Sequence, residues 1–355
     1  MAVVNLATRY ADTVSELYCQ ESIIKNITLD NSEISFDGSR DIVLQTVETM
    51  PLTDYTRSGT SRYGTAEEIG NTQQKLTMTE DKSYTGTIDK GNMKDNKAME
   101  RAGAKVLNQQ MKRVVIPYMD KYALKKFAFD AGTIATCQSA LTQDTIIEAL
   151  SDADVAMSNA GVPATDRTLL IGHSLFAKAR LNLMVSGSDS LATEAIKKGD
   201  AGELMGFKVR RVPDSYLPTG VQFIALHKEA ALFAEKIQDA KVHSDAPGIS
   251  GSLFEGRHYF GAFVRANKCE GVYVLCLSAN ALAAPSISLS GASATVSASS
   301  GASETWYTTD GSDPRYSITA KVYSSAVTLE KGQTIRVCCK ADAKLTSPVA
   351  EKLYS

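Results

Sequence analysis

The sequence is short of the residues that most often carry chemistry. Its 355 residues include one tryptophan and four histidines, and His173, His227, His243 and His258 are scattered. No GxSxG, P-loop or HExxH pattern occurs, so the common nucleophile, phosphate-binding and zinc-hydrolase motifs are excluded. The six cysteines are Cys19, Cys137, Cys269, Cys276, Cys338 and Cys339. None forms a CxxC pair or sits at zinc-ligand spacing from a histidine, so free thiols in a reducing compartment are expected. No charge of one sign dominates. Lys plus Arg is 38 against Asp plus Glu of 40, a net charge of −2, so any contact with nucleic acid must be local. Long apolar runs are missing too. The most apolar stretch, 271–285, is interrupted by Ser278 and Asn280 and is too short to span a bilayer. The opening residues MAVVNLATRYADTVSE lack a basic segment followed by an apolar one, so no signal peptide and no membrane anchor are expected. Catalytic residues, cofactors and metals are expected to be none.

What is present is ordinary globular composition, 43% apolar and 22% charged, enough for two or three domains at about 150 residues each. Residues 1–35 are weakly periodic and read as an arm. Residues 36–92 carry Thr-rich, partly alternating runs: Ile42, Leu44 and Val47, then Leu76, Met78, Tyr84 and Ile88. Alternation of this kind predicts strands with one buried face. Between the runs, TRSGTSRYGTAEEIG at 56–70 reads as a flexible tip. Together they predict a long two-stranded arm, too thin to be stable without another surface beneath it.

Residues 93–130 are helical in pattern, with Met99, Gly103, Val106, Leu107, Gln110, Met111 and Val114 on one stripe. Pro117 must kink or end the first segment. The stretch holds nine Lys or Arg against four acidic residues, so its surface faces solvent or a polyanion. Residues 131–245 alternate helix and strand. A helix is predicted over 142–159 with Thr142 as N-cap, a buried strand over 167–171, and a short Ala-rich helix over 228–233. Residues 246–280 return to strands, 281–285 form a linker, and 286–355 differ again. That last part is Ser- and Thr-rich with short apolar pairs between polar turns, the pattern of a β-sandwich. The fold class read here is α+β with a C-terminal all-β module.

Three local patterns have plain explanations. GDAGELMG at 199–206 does not follow a strand with nucleotide-binding spacing. Asn26, Ile27 and Thr28 form a chance glycosylation sequon. Asp310, Gly311 and Asp313 form a β-turn more readily than a calcium loop, because further oxygen ligands are missing. Asp152 and Asp154, two apart on a helix, cannot face each other as a glycosidase pair.

Three stretches run in an order that resembles the major capsid proteins of tailed bacteriophages: LTDYTR at 52–57, the block from Leu76 through Asp81 to YTGTID at 84–89, and KRVVIPYMDKY at 112–122. MGFKV at 205–209, FIALH at 223–227, EGRHYFGAFV at 255–264 and GVY at 271–273 continue the likeness over 36–277. Tyr118 departs from it, since such proteins often carry an acidic residue after this proline. The resemblance implies a Hong Kong 97-like fold: an N-terminal arm over 1–35, an E-loop over 36–92, the spine helix of a P domain over 93–130, an A domain over 131–245 and P-domain strands over 246–280. It implies inter-subunit contacts by Asp54, Tyr55, Arg57, Arg62 and Tyr63. Lys94, Lys97, Arg101 and Lys105 become candidates to face packaged DNA without sequence specificity. It also implies pentamers and hexamers in an icosahedral shell, portal and scaffold partners, assembly in the host cytoplasm and residence in the virion capsid.

Residues 286–355 resemble the immunoglobulin-like C-terminal module of chitobiases and hexosaminidases, through WYTTDGSDP at 306–314 and GQTIRV at 332–337. Trp306 and Tyr307 are the core candidates and Asp310, Gly311 and Asp313 the turn. This implies a surface-displayed accessory module, with a surface glycan or mucus ligand as an open possibility. The alternatives are a glycan-binding adhesin and a carbohydrate-active protein with an accessory module.

Overall fold

The structure is a computed structural model that describes residues 22–29, 36–37, 41–47, 50, 52–58, 60, 62–64, 71–91, 103–185, 202–244 and 246–355. The N-terminal part holds β1 (Phe36–Asp37), β2 (Asp41–Val47), β3 (Asn71–Thr77) and β4 (Glu80–Asp89). Strands β2 and β3 pair antiparallel from Asp41↔Thr77 to Val47↔Asn71, with β1 on the edge. Only these form the expected arm. The Tyr84 and Ile88 run is the separate strand β4.

The base of the arm has its own floor. Ile42, Leu76 and Met78 are buried against Leu232, Ala234 and Tyr259 of the same chain. Gln74 fastens it further, donating to Val264 O at 3.1 Å and accepting from Ala266 N at 2.8 Å.

The helical stretch is α1 (Gly103–Gln110), a π turn over Met111–Val115 and α2 (Ile116–Phe129). Pro117 explains the π turn. It has no N–H for the carbonyl four residues back, and its ring would collide with that carbonyl, so the helix widens by one residue instead of breaking.

Beyond it lie β5 (Thr133–Cys137), α3 (Ile146–Asn159), β6 (Arg167–Gly172), α4 (His173–Val185), β7 (Glu203–Leu204), β8 (Phe207–Val212), β9 (Val221–His227), β10 (Ala231–Ser244), β11 (Gly251–Val264) and β12 (Val272–Leu277). Six of these make one mixed sheet in the order β5-β12-β9-β6-β8-β7. Strand alternation gives it two apolar faces. Leu170, Ile224, Leu226 and Val274 meet Leu124, Phe127 and Ala128 of α2. Leu169, Ile171, Phe223 and Leu275 meet Ile146, Leu150 and Met157 of α3 and Leu175 and Ala179 of α4. Strand β6 is buried along its whole length, as a central strand covered on both faces must be.

The second sheet has the order β10-β11-β4. Its long strands carry Phe260, which is 1% exposed and meets Tyr118, Tyr122 and Phe233 at ring distances of 6.3, 5.6 and 5.9 Å.

Sheet pairing therefore divides the chain differently from the expected boundaries. Strand β10, placed with 131–245, pairs with β11, which in turn pairs with β4. Strand β12, placed with 246–280, pairs with β5 and β9. No helix forms over 228–233, because Ala231 and Ala234 are wanted as small buried residues of β10. The helix α3 begins at Ile146 with Thr145, not Thr142, in the N-cap position.

The C-terminal module contains β13 (Ser286–Ser290), β14 (Ser293–Ser297), β15 (Glu304–Thr308), β16 (Lys321–Val322), β17 (Val327–Thr328), β18 (Thr334–Lys340) and β19 (Ala350–Leu353). They form two sheets, β13-β14-β17 and β16-β15-β18-β19, around Ala294, Leu329, Ile335 and Val337. This is the predicted sandwich. No helix among the described residues is long and apolar enough to cross a membrane.

Phe260→Ala is expected to cost about 3–5 kcal/mol, because it empties the contact between α2 and the second sheet. Urea denaturation of the soluble chain checks this; an unchanged midpoint would show that the contact is not central.

Candidate functional site

The loop between β2 and β3 gathers the five residues expected at inter-subunit contacts. Asp54, Tyr55, Arg57, Arg62 and Tyr63 are all exposed. The loop closes on itself. Thr56 N donates to Arg62 O at 3.0 Å, Thr53 Oγ1 donates to Tyr63 O at 3.1 Å, and the Tyr55 and Tyr63 rings meet edge-on at 5.1 Å. Gly64 allows the turn with φ +85. The result is a small ordered tip holding Leu52, Tyr55 and Tyr63 in solvent, with Tyr63 85% exposed. Apolar groups held out this far mark a contact surface. The expected apolar face of the arm is thus split: its base is covered by its own chain, and its tip is bare.

The basic candidates fare differently. Lys94, Lys97 and Arg101 lie outside the described residues, as does the side chain of Lys105, whose backbone belongs to α1. Further along, the Lys121 and Lys125 ammonium groups sit over Tyr216 and Phe129 at 5.2 and 5.4 Å, so part of the basic stretch serves its own chain. Tyr118, the residue that departs from the expected pattern, donates its hydroxyl to Glu80 Oε2 at 2.9 Å.

In the module, Tyr307 packs with the core and meets Tyr323 at 6.2 Å. Trp306 does not. Neighbours in a strand point to opposite faces, so it is half-buried outside the core, its Nε1 donating to Glu304 at 2.9 Å and Lys340 Nζ 5.0 Å over its ring. The turn holds Gly311 at φ +79. Asp310 accepts from Ser312 N at 3.0 Å and from Thr319 Oγ1 at 2.6 Å. Burial opposes its charge, yet these hydrogen bonds win and hold its carboxyl below the usual range. Asp313 is taken by Arg315 at 2.7 Å. Both carboxylates are therefore spent inside the turn.

Arg315 leads to the feature that sequence reasoning missed. Four successive carbonyls at the end of α2 accept from the module. Thr346 Oγ1 donates to Phe129 O at 2.8 Å and Tyr316 Oη to Asp130 O at 2.6 Å. Arg315 Nη1 donates to Ala131 O at 2.9 Å and Gly132 O at 2.8 Å. Burial raises the Tyr316 hydroxyl well above its ordinary range, so it stays protonated as a donor. For Arg315 burial works against the charge, but Asp313 more than offsets it and the net shift is upward.

The expected linker is also a contact. Ala281 and Leu282 are buried, Ala281 bridges Leu345, and Leu345 N donates to Asn280 O at 2.8 Å. Leu345 belongs to the main core. The module expected as a surface-displayed accessory is therefore joined to the body through 281–285 as well as through Arg315, Tyr316 and Thr346. The only sequence signal was Arg315 and Tyr316 beside the DGSDP turn.

Comparison with solved structures places this architecture. A chain of Mycobacterium phage Che8 superposes with a TM-score of 0.56 at 20% identity, covering 77% of this chain and 98% of that one. The capsid of Cyanophage P-SCSP1u gives 0.62 at 13% identity, over 76% and 92%. The mature capsid of bacteriophage PhiM1 gives 0.56 at 11%, over 76% and 91%. The chain has the fold of phage capsid proteins. The Hong Kong 97-like fold implied by the sequence resemblance is thus the fold it adopts. The family described as Fn3 associated matches residues 295–354, in keeping with an immunoglobulin-like sandwich. No curated protein matches the sequence significantly.

Two outcomes test the module. Arg315→Met takes the guanidinium from Asp313, leaving it only the backbone N–H of residue 315, removes the donor from two carbonyls, and is expected to cost about 3–5 kcal/mol, read as a lower denaturation midpoint of the full chain. Asp310 has a lowered folded pKa, so its stabilisation is present above the carboxylate range and lost as pH falls through it. The melting gap between the natural chain and Asp310→Ala should therefore close below about pH 4; a gap constant with pH would contradict the assignment.

Proposed function

We propose that this chain is the major capsid protein of a tailed bacteriophage, a structural, non-enzymatic subunit. In this reading copies assemble as pentamers and hexamers into an icosahedral head that encloses double-stranded DNA. The fold match supports the reading most directly, and the exposed tip of the β2–β3 loop supplies the means. In an isolated chain Leu52, Tyr55 and Tyr63 waste apolar surface, whereas a neighbour that covers them gains it. The loop is accordingly the E-loop contact between subunits.

The remaining partners follow from the same reading. DNA is held through phosphate alone by the basic stretch that includes Lys94, Lys97, Arg101 and Lys105, with salt-sensitive affinity. Scaffold and portal proteins join during assembly in the host cytoplasm. The immunoglobulin-like module stands on the outer face of the virion, where repetition over the shell would multiply any weak glycan contact.

Deleting residues 56–70 is the direct test. The expected product is soluble, folded protein with no shells, because the base of the arm stays packed on its own chain. The paired change Leu52→Ser with Tyr63→Ser should act in the same direction without shortening the loop. Size-exclusion chromatography and electron microscopy read the result, and normal shells from both variants would sink the proposal.

A further inference from the structure

Where the π turn widens the helix, a cavity of about 470 Å³ opens between the helix and the second sheet. Tyr84 of β4 and His258 and Phe260 of β11 form its floor, and Arg113, Val114 and Pro117 its roof. Pro117, which imposes the π turn, is thus also part of the wall.

Two polar atoms at this floor are buried without a partner among the described residues: His258 Nε2 and Tyr84 Oη. His258 is 2% exposed. Its other nitrogen, Nδ1, lies 3.2 Å from Glu235 Oε1, which places a proton on Nδ1 and leaves Nε2 as an acceptor for an N–H of an occupant. The two rings stack at 6.2 Å. Tyr84 cannot easily swing away, because its ring covers Gly256, where an added Cβ would come within 2.3 Å of it. Buried polar atoms without partners are rare in folded chains, and a pair of them in one cavity points to a missing ligand.

The charge around the cavity selects the ligand. Lys82, Arg113 and Lys121 line it, and no acidic residue does. Lys82 is paired with Glu80 at 3.2 Å and Lys121 covers Tyr216, but Arg113 forms no ion pair among the described residues. A phenol hydroxyl and a free guanidinium suit a carboxylate, while the imidazole Nε2 suits the backbone N–H that a peptide brings with it. The rest of the wall is apolar, with Phe260, Val114 and Pro117. A nucleic-acid phosphate brings no apolar body to fill such a space.

We propose that this cavity receives the carboxylate of an acidic, apolar peptide segment from a partner protein. The inference stands on the cavity itself and does not depend on the shell reading.

Anilinonaphthalene sulfonate, an anionic group on an apolar body, is a fluorescent probe for the site in the purified full chain. Saturable binding is expected, displaced by phenylbutyrate and not by phenylbutylamine. Arg113→Glu, at an exposed position, should weaken it about tenfold. Tyr84→Phe keeps the ring over Gly256 and should weaken it several-fold. Lys331→Glu, an exposed control in the module, should leave it unchanged. The proposal is overturned if binding is absent, if both cavity variants bind as the natural chain does, or if a short DNA duplex displaces the probe and phenylbutyrate does not.

Discussion

Four successive carbonyl oxygens at and just beyond the end of α2, from Phe129 to Gly132, accept from the C-terminal module. Helix ends always leave such groups, and a buried end needs donors from somewhere. Here Thr346, Tyr316 and Arg315 supply them across about half the sequence. Arg315 also places a positive charge at the negative end of the helix dipole. Most of the architecture depends on this joint, because α2 covers one face of the six-stranded sheet and touches the second sheet through Phe260. The module is thereby a part of the body rather than a pendant on a string.

A second constraint sits at the other end of α2. Pro117 forbids a regular helix, the π turn answers it, and the same local widening leaves the cavity above Tyr84 and His258. One residue thus fixes both how the helix crosses the sheet and where it stands away from it. Such departures from regular helix are where sites tend to be found.

Much of this was legible in the sequence, and the failures have physical reasons. Partial apolar alternation identified β2 and β3, a short continuous apolar run identified the buried β6, and Pro117 announced an interruption of the helix. Ordered short motifs pointed to the capsid fold, and the WYTTDGSDP turn to the sandwich. Pairing between distant strands was not legible, since β10 and β12 carry no mark of which sheet they join. The short helix expected at 228–233 failed because alanine favours helices in isolation but also suits a crowded strand. Trp306 and Tyr307 were both read as core, although adjacent residues of one strand face opposite ways and only Tyr307 faces inward. The joint was hidden because its donors are single polar side chains in loops, and their carbonyl partners have no sequence signature.

The joint also has a consequence in time. Thr346 lies 217 residues beyond Phe129. At 5–20 residues per second, synthesis completes α2 roughly ten to forty seconds before its last donor leaves the ribosome. Through that interval the helix end is uncapped and the main core lacks Leu345. A chain broken off before Leu345 therefore lacks both that core residue and the hydroxyl that caps Phe129.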